Sequence, residues 1–261
     1  MADDIDPDLT RQAEALLAAM GPRRRATPRL HPALADVPMT RIPHEGGEIA
    51  AWRIGEGPAV LMVHGWEDSH GLWAGMIKPL REAGRALALV DLPQHGLTTI
   101  DGPTAYHAAL ALLAVRDALG PIDSAITHSF GGAATIRAMG MGLDLKRCVF
   151  IAGNIQSGRR SWREGYLERG VDPAVLDTLE VIFEQRLGQP LGIYDIAADV
   201  KLQTADALFI WTEDDKVVSP KGTQALAALW PGAKTFSVSG PDHRKVVRDA
   251  AVVRAAVDFL K

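Results

Sequence analysis

Three residues of this sequence have the types and the order needed for nucleophilic catalysis. Ser129 follows the apolar run 125–126 and precedes Gly131 and Gly132, Asp215 closes the loop after the run 207–211, and His243 follows the last strand-like run. A serine hydroxyl becomes a nucleophile when a histidine takes its proton and an acid orients that histidine. The stretch between Asp215 and His243 has room for one helix and one strand. We therefore expect the three side chains to meet as a triad.

The turn at Ser129 is sharp if it lifts the hydroxyl above a sheet, and such a turn favours small residues two positions to either side. Gly131 meets this requirement. Thr127 does not, because its β-branched side chain crowds the turn. The alternative interpretation is that Ser129 is only a helix-capping serine at the end of a strand.

Two other carboxylates compete for the role of the acid. Asp214 is the neighbour of Asp215, and alternation along an extended chain would point only one of the two at the site. Asp91 also follows a strand-like run, but residues 91–96 are typical of a turn in which Asp91 accepts hydrogen bonds from local backbone N–H groups.

An oxyanion hole needs two backbone N–H groups aimed at the developing negative charge. Phe130, directly after the serine, would supply one, and Trp66 in the segment His64-Gly65-Trp66 would supply the other. The nearby cluster His64, Glu67, Asp68 and His70 suggests a metal, but no second ligand group at metal-binding spacing supports it. We predict a site with neither metal nor cofactor.

Strands and helices that alternate must position these residues. Continuous apolar runs, typical of strands buried on both faces, occupy 59–63, 86–90, 125–126, 148–151, 207–211 and 235–238, and helical segments occupy 72–83, 105–119, 131–141, 221–229 and 245–260. Two short strands around 38–54 flank the hairpin turn 45–47. The pattern predicts an α/β fold with a mostly parallel central sheet and helices on both faces.

Two segments lie outside this alternation. Residues 1–36 carry one amphipathic helix from Leu9 to Met20, and we predict an N-terminal helical extension ahead of a main domain over 37–261. Residues of about 156–200 form a helical insertion, in which Asp172 caps a helix with Pro173 at its first position. Because open α/β sheets bind ligands beyond the strand ends, we predict that this insertion is a cap or lid.

Composition excludes several classes of protein. The net charge of −4 argues against a nucleic-acid surface, and the one cysteine, Cys148, excludes a site with several thiolates. The acidic N-terminus lacks the pattern of a secretion signal, and no apolar run approaches the roughly 18 residues of a membrane span. We expect a cytoplasmic protein without a membrane span, with both a monomer and a homodimer left open.

The motifs together resemble the α/β-hydrolase fold over residues ~38–261, and within it the small, capped bacterial serine hydrolases. They are His64-Gly65-Trp66, Asp91-x-Pro93-x-His95-Gly96, His128-Ser129-Phe130-Gly131-Gly132, Asp214-Asp215-Lys216-Val217-Val218 and Asp242-His243-Arg244. The resemblance implies that Ser129 is the nucleophile, His243 the base and Asp215 the acid.

The expected substrate is a small to medium, largely apolar carboxylic ester. The candidates for substrate binding are His64, Trp73, Asn154, Trp162 and Tyr166, with Trp66 and Phe130 beside them. A thioesterase, a C–C bond hydrolase or a lyase on the same triad is an alternative. A ligand-binding or receptor-like protein with vestigial turnover is another, and Thr127 is the residue that keeps it open.

Overall fold

The computed structural model describes residues 6–19, 30–102, 104–153, 159–187 and 196–261. The chain divides into two compact units. The larger spans 23–155 and 196–261, and the smaller spans 1–22 and 156–195. Each unit is described by itself.

The larger unit is built on one eight-stranded sheet. The strands are β1 (Met39–His44), β2 (Gly47–Ile54), β3 (Ala59–Val63), β4 (Ala86–Val90), β5 (Ile122–His128), β6 (Arg147–Ile151), β7 (Asp206–Thr212) and β8 (Lys234–Val238). They lie in the order β1-β2-β4-β3-β5-β6-β7-β8. Strand β2 pairs antiparallel with β1 and β4, and every other pair is parallel. The predicted mostly parallel sheet and its N-terminal hairpin are confirmed.

The apolar runs became central strands because both faces of the sheet are covered. All five residues of β3 are buried, and their side chains alternate between two separate clusters. Leu61 and Val63 belong to the cluster beneath four helices, and Val60 and Met62 belong to the cluster on the other face. A strand buried on both faces gains nothing from polar residues at alternate positions.

Helices cover the two faces unequally. Residues of α3 (Ala105–Leu119), α4 (Phe130–Gly140), α7 (Ala197–Lys201) and α8 (Pro220–Leu229) pack into one cluster, and those of α2 (Ala74–Glu82) and α9 (Ala250–Leu260) pack into the other. Side-chain caps start two of them. Thr104 accepts from the N–H of His107 at the start of α3, and Asp249 accepts from two N–H groups at the start of α9.

The smaller unit consists of α1 (Pro7–Ala19), α5 (Arg159–Glu168) and α6 (Pro173–Leu187). The carboxylate of Asp172 accepts a hydrogen bond from the N–H of Ala174 at 2.8 Å, so α6 begins at the predicted cap with Pro173 first. Ala13 of α1 is fully buried among apolar residues of α6. The N-terminal helix and the insertion therefore share one core, although about 150 residues separate them along the chain.

Candidate active site

Ser129 lies at the junction where β5 ends and α4 begins. Its backbone has φ +50° and ψ −120°, a conformation that a residue with a Cβ adopts only under strain. The N–H of Ser129 donates to the carbonyl of Ile151 at 2.9 Å, which ties the turn to the neighbouring strand. The serine is thus a strained residue at a strand end, as a nucleophile elbow requires.

Gly131 is the residue that the turn requires, and Thr127 fits beside it. A Cβ on Gly131 would lie 2.5 Å from the carbonyl oxygens of Val63 and His64, so only glycine lets α4 approach β3 this closely. Thr127 is fully buried, and a Cβ on Gly132 would lie 3.4 Å from its hydroxyl. That distance is an ordinary van der Waals contact, so the helix has room for the threonine beneath it.

His243 and Asp215 are joined by a short hydrogen bond. Nδ1 of His243 lies 2.7 Å from Oδ2 of Asp215, and the other oxygen of Asp215 accepts from the N–H groups of Val217 and Val218 at 2.9 and 2.8 Å. Burial acts to raise the pKa of Asp215, but these hydrogen bonds outweigh it and hold the pKa below its usual value. Because the carboxylate is charged, Nδ1 carries the proton and Nε2 of the imidazole is left as an acceptor.

The two competing carboxylates have other partners. Asp214 accepts from the N–H of Gly240 at 2.6 Å and so joins the loop after β7 to the loop after β8. Asp91 is fully buried and accepts from the ring and the N–H of His70 at 2.9 and 2.7 Å, and from the N–H of Leu97 at 2.8 Å. Asp91 thus binds local N–H groups as predicted, and a histidine in addition.

His128 is a residue for which the sequence analysis assigned no role. Its Nε2–H donates to the backbone carbonyl of His243 at 2.8 Å, and the two rings lie 4.7 Å apart. Burial, with the nearby His243, lowers the pKa of His128 to about 3, so its ring is neutral. The residue before the serine therefore holds the backbone of the histidine loop. The contact joins residues far apart along the chain, and no local motif signals it.

Trp66 and Phe130 lie side by side, with ring centroids 5.1 Å apart and edge-to-face. The segment that carries Trp66 runs close to the serine, because a Cβ on Gly65 would lie 3.0 Å from Cβ of Ser129. Within the described ranges, neither the N–H of Trp66 nor that of Phe130 donates to another protein group. Two such N–H groups beside a serine are what a tetrahedral oxyanion needs.

Ser129 and His243 open onto one cleft of about 1000 Å³. Among the described residues its lining is Trp66, Glu67, His128, Ser129, Asp214, Lys216, Val217, Gly240, Asp242, His243, Arg244 and Lys245. Half of these residues are charged. Arg244 donates to the carbonyl of Glu67 at 3.3 Å, and Lys245 pairs with Asp242 at 2.8 Å. Charged side chains therefore surround the serine, although most of the exposed surface of the cleft is apolar.

The prediction that His64 and Trp73 bind the substrate is wrong. His64 is fully buried, with Nδ1–H donated to the carbonyl of Gly65 and Nε2 accepting from the N–H of Leu92, so no ring nitrogen is left for a ligand. Trp73 is fully buried in the apolar cluster beneath α2 and α9. The sequence could not separate them from pocket residues because large rings fill cores and pockets alike.

The other three candidates stay predictions. Tyr166 lies in the smaller unit, where it packs against the α1–α6 core and beneath the guanidinium of Arg169. Asn154 and the side chain of Trp162 lie outside the described residues.

Two features are absent from residues 6–19, 30–102, 104–153, 159–187 and 196–261. No group of three or more metal-ligating side chains comes together in that part of the chain. No helix in it is long and apolar enough to cross a membrane.

Comparison with known proteins identifies the class. Residues 60–256 match the Alpha/beta hydrolase family, and the chain belongs to that family. The predicted fold and family resemblance are thereby confirmed. Solved structures agree with the fold. An alpha/beta hydrolase fold protein from Burkholderia ambifaria matches with a TM-score of 0.63 at 20% identity, over 84% of this chain and 97% of its own.

The names of curated relatives state an activity, which the family description does not. A pimeloyl-(acyl-carrier protein) methyl ester esterase from Stenotrophomonas maltophilia is 25% identical over 255 residues, 79% of this chain and 93% of its own. A protein of the same name from Xanthomonas oryzae pv. oryzae is 27% identical over 244 residues, 78% of this chain and 95% of its own.

Proposed function

We propose that the protein is a serine hydrolase that cleaves carboxylic esters through Ser129, His243 and Asp215. The observation that carries the proposal is the 2.7 Å hydrogen bond between His243 and Asp215, beside a cleft that the strained Ser129 also lines. A buried carboxylate that fixes the tautomer of a histidine next to a serine is the arrangement that activates a hydroxyl. The similarity to curated ester hydrolases supports the same activity.

In the first half of the reaction, Oγ of Ser129 attacks the ester carbonyl carbon, and its proton passes to Nε2 of His243. The negative charge that develops on the carbonyl oxygen is stabilised by the N–H groups of Trp66 and Phe130. The C–O bond to the alcohol then breaks, and the alcohol oxygen takes the proton from Nε2. An acyl ester on Ser129 remains.

In the second half, a water molecule gives a proton to Nε2 of His243 as its oxygen attacks the acyl carbon. The same two N–H groups stabilise the second tetrahedral oxyanion. The bond between the carbon and Oγ breaks, Oγ recovers the proton, and the carboxylic acid leaves. Asp215 stays ionised throughout, because its role is to orient the imidazole and to stabilise its positive charge.

The substrate class follows from the cleft and the relatives together. Trp66 and Val217 offer apolar surface, while the charged residues beside them favour an ester that also carries a polar group. A second candidate is therefore a methyl ester on an acyl chain bound to a carrier, as the names of the relatives describe for those proteins. Demethylation of pimeloyl methyl ester on acyl-carrier protein, followed by intact mass, separates it from hydrolysis of small esters.

A fluorophosphonate probe tests the proposal directly. We expect it to label Ser129 of the folded protein, as mapped by peptide mass, and to stop hydrolysis of nitrophenyl esters. Ser129→Ala and His243→Ala serve as controls, and each is expected to abolish labelling. A folded wild-type protein that is not labelled would contradict the hydrolase and leave the ligand-binding alternative.

The remaining alternatives differ in the bond that they break. Parallel assays on an oxygen ester and the thioester of the same acyl group compare esterase with thioesterase, and a β-diketone tests C–C cleavage. We expect the oxygen ester to have the largest kcat/KM. The lid function of the insertion, the cytoplasmic location, and the choice between monomer and homodimer stay predictions from the sequence.

A further inference from the structure

His95 lies after β4 in the segment 91–96, and its side chain is buried. Its Nδ1 lies 2.7 Å from the carbonyl oxygen of Pro93, so Nδ1 carries the ring proton and donates a hydrogen bond to that oxygen. Its Nε2 then has a free lone pair, which accepts a hydrogen bond from the backbone N–H of Glu67 at 3.0 Å. Both ring nitrogens are used, and one of them holds the loop that follows β3.

The backbone of Glu67 is strained and needs such a hydrogen bond to stay in place. Glu67 has φ +56°, in the left-handed region that a residue with a Cβ enters only at a cost in free energy. It directly follows Trp66, whose N–H is one of the two proposed oxyanion donors. The ring of Trp66 also packs edge-to-face on the ring of His95, with centroids 5.3 Å apart. The imidazole of His95 therefore contacts both the backbone of Glu67 and the side chain of Trp66.

We propose that His95 is a positioning residue for ester hydrolysis, which acts through the N–H of Glu67 to hold the N–H of Trp66 towards the oxyanion. The inference rests on the proposed function. His95 itself touches no reacting atom. Loss of His95 is expected to weaken the stabilisation of the tetrahedral state, because the N–H of Trp66 would be displaced, and to leave the binding of the ester unchanged.

The surroundings keep the ring in the tautomer that this role requires. A proton on Nε2 would turn the acceptor into a donor facing another N–H. Burial lowers the pKa of His95, although the carboxylates of Asp91, Asp68 and Glu67 act to raise it. The ring of His64 lies 5.2 Å away and is itself neutral, because burial lowers the pKa of His64 to about 4.

Two amide variants separate the two hydrogen bonds. In His95→Gln the amide oxygen reaches the place of Nε2 and accepts from Glu67, while in His95→Asn the amide reaches only the place of Nδ1 and keeps the bond to Pro93. We expect kcat for nitrophenyl butyrate to fall about 30-fold in the asparagine variant, with KM within about twofold, because a small displacement of a catalytic group has effects of this order. The glutamine variant is expected to stay within about threefold of wild type.

A trifluoromethyl ketone gives a second measurement that a purely structural role would not change. It adds to the serine as a tetrahedral adduct, so its affinity reports on the oxyanion hole. We expect its Ki to rise in His95→Asn by the same factor by which kcat/KM falls. His107→Leu, which removes a half-buried imidazole from the first turn of α3, is the matched control and is expected to change neither value.

Equal losses in the asparagine and glutamine variants, or none in the asparagine variant, would overturn the role of His95. Should neither variant fold, hydrogen exchange of the wild-type protein decides: exchange of the Glu67 N–H at least about 100-fold slower than in an unstructured chain is expected, and unprotected exchange overturns the proposal. A wild-type protein that fails the fluorophosphonate test loses the proposed function and this inference together, whereas a labelled protein with an unimpaired His95→Asn loses the inference alone.

Discussion

The two edges of the central sheet handle the left-handed backbone region differently. At the amino edge, where turns lead into the parallel strands, positive φ angles fall on glycines: Gly55, Gly57, Gly84, Gly120, Gly142 and Gly232. At the carboxyl edge, glycines such as Gly96 and Gly240 are joined by four residues with a side chain that adopt positive φ, one each after β3, β4, β5 and β6: Glu67, Gln94, Ser129 and Ala152. Within the described ranges, these four are the whole set of such non-glycine residues.

The difference follows from what each edge has to do. Glycine at a positive φ relieves steric strain, and the amino edge uses it wherever the chain only has to turn. At the carboxyl edge two of the four strained residues lie in the proposed site, since Ser129 is the proposed nucleophile and Glu67 follows a proposed oxyanion donor. A non-glycine residue in this region costs about 1–3 kcal/mol, so the sheet concentrates its backbone strain around the site.

The largest expected effect comes from removing the nucleophile at Ser129. Ser129→Gly and Ser129→Ala are both expected to lower kcat/KM by at least about 10⁴-fold. They should differ in stability, because glycine fits φ +50° and alanine does not. We expect the glycine variant to be about 1 kcal/mol more stable than the alanine variant in urea unfolding, as relief of strain exceeds the entropy that glycine adds to the unfolded chain.

Equal stability of these two variants would show that the turn at residue 129 is not strained, and the contrast between the two edges would lose its main example. Their common loss of activity would be unaffected.

A second pair of variants tests the close approach that sets the serine turn. Gly131→Ala places a Cβ 2.5 Å from two backbone carbonyl oxygens, and we expect a loss of about 3 kcal/mol in the free energy of unfolding. Gly132→Ala meets only contacts of 3.4 Å and should stay within about 1 kcal/mol of wild type. Urea denaturation of both measures the difference, and a tolerated Gly131→Ala would contradict the packing of α4 on β3.

How much of this arrangement the sequence predicts depends on the distance over which each signal acts. Continuous apolar runs predict strands such as β3 and β4 because burial on both faces imposes a local composition. The side chains that gather at the carboxyl edge follow from the same runs, since parallel strands end on one side. For this reason the sequence alone predicts that Ser129, Asp215 and His243 lie close together.

What the sequence does not predict rests on contacts between distant segments. The bonds from His95 to Glu67 and from His128 to His243 join loops that follow different strands, and no spacing rule links them. The fit of Thr127 opposite Gly132 is likewise visible only in three dimensions. Residue type also does not distinguish buried rings such as those of His64 and Trp73 from rings that bind a ligand.

Histidines provide a third way to test the contrast, because within the described ranges the buried ones lie at the carboxyl edge: His64, His70, His95, His128 and His243. Burial lowers the pKa of His64 to about 4 and, with His243, that of His128 to about 3, from an ordinary value of 6.5. Below pH 6.5 these two histidines are protonated in the unfolded chain, whereas in the folded protein they stay neutral until the pH approaches their lowered pKa values. Stability is therefore full above pH 6.5 and is lost as the pH falls towards 4 and 3.

At pH 5 each of these two rings is expected to have removed about 2 kcal/mol of stability. Urea unfolding of the wild type and of His128→Gln at pH 7 and pH 5 checks this expectation. The glutamine keeps a donor for the carbonyl of His243 but does not titrate, so the loss between the two pH values should shrink by about 2 kcal/mol. An equal loss in both proteins would mean that His128 is protonated in the folded state.

The smallest effects are expected at the amino edge. Gly84 and Gly120 have φ near +80° with open space around a would-be Cβ, so alanine there is strained but meets no neighbour. We expect Gly84→Ala and Gly120→Ala each to lower the free energy of unfolding by about 1 kcal/mol while kcat and KM for nitrophenyl butyrate stay at wild-type values. A residue with a side chain at positive φ would then lower stability at both edges, but it would contribute to activity only at the carboxyl edge. A change in kcat in either variant would mean that the turns at the amino edge also hold the site in place.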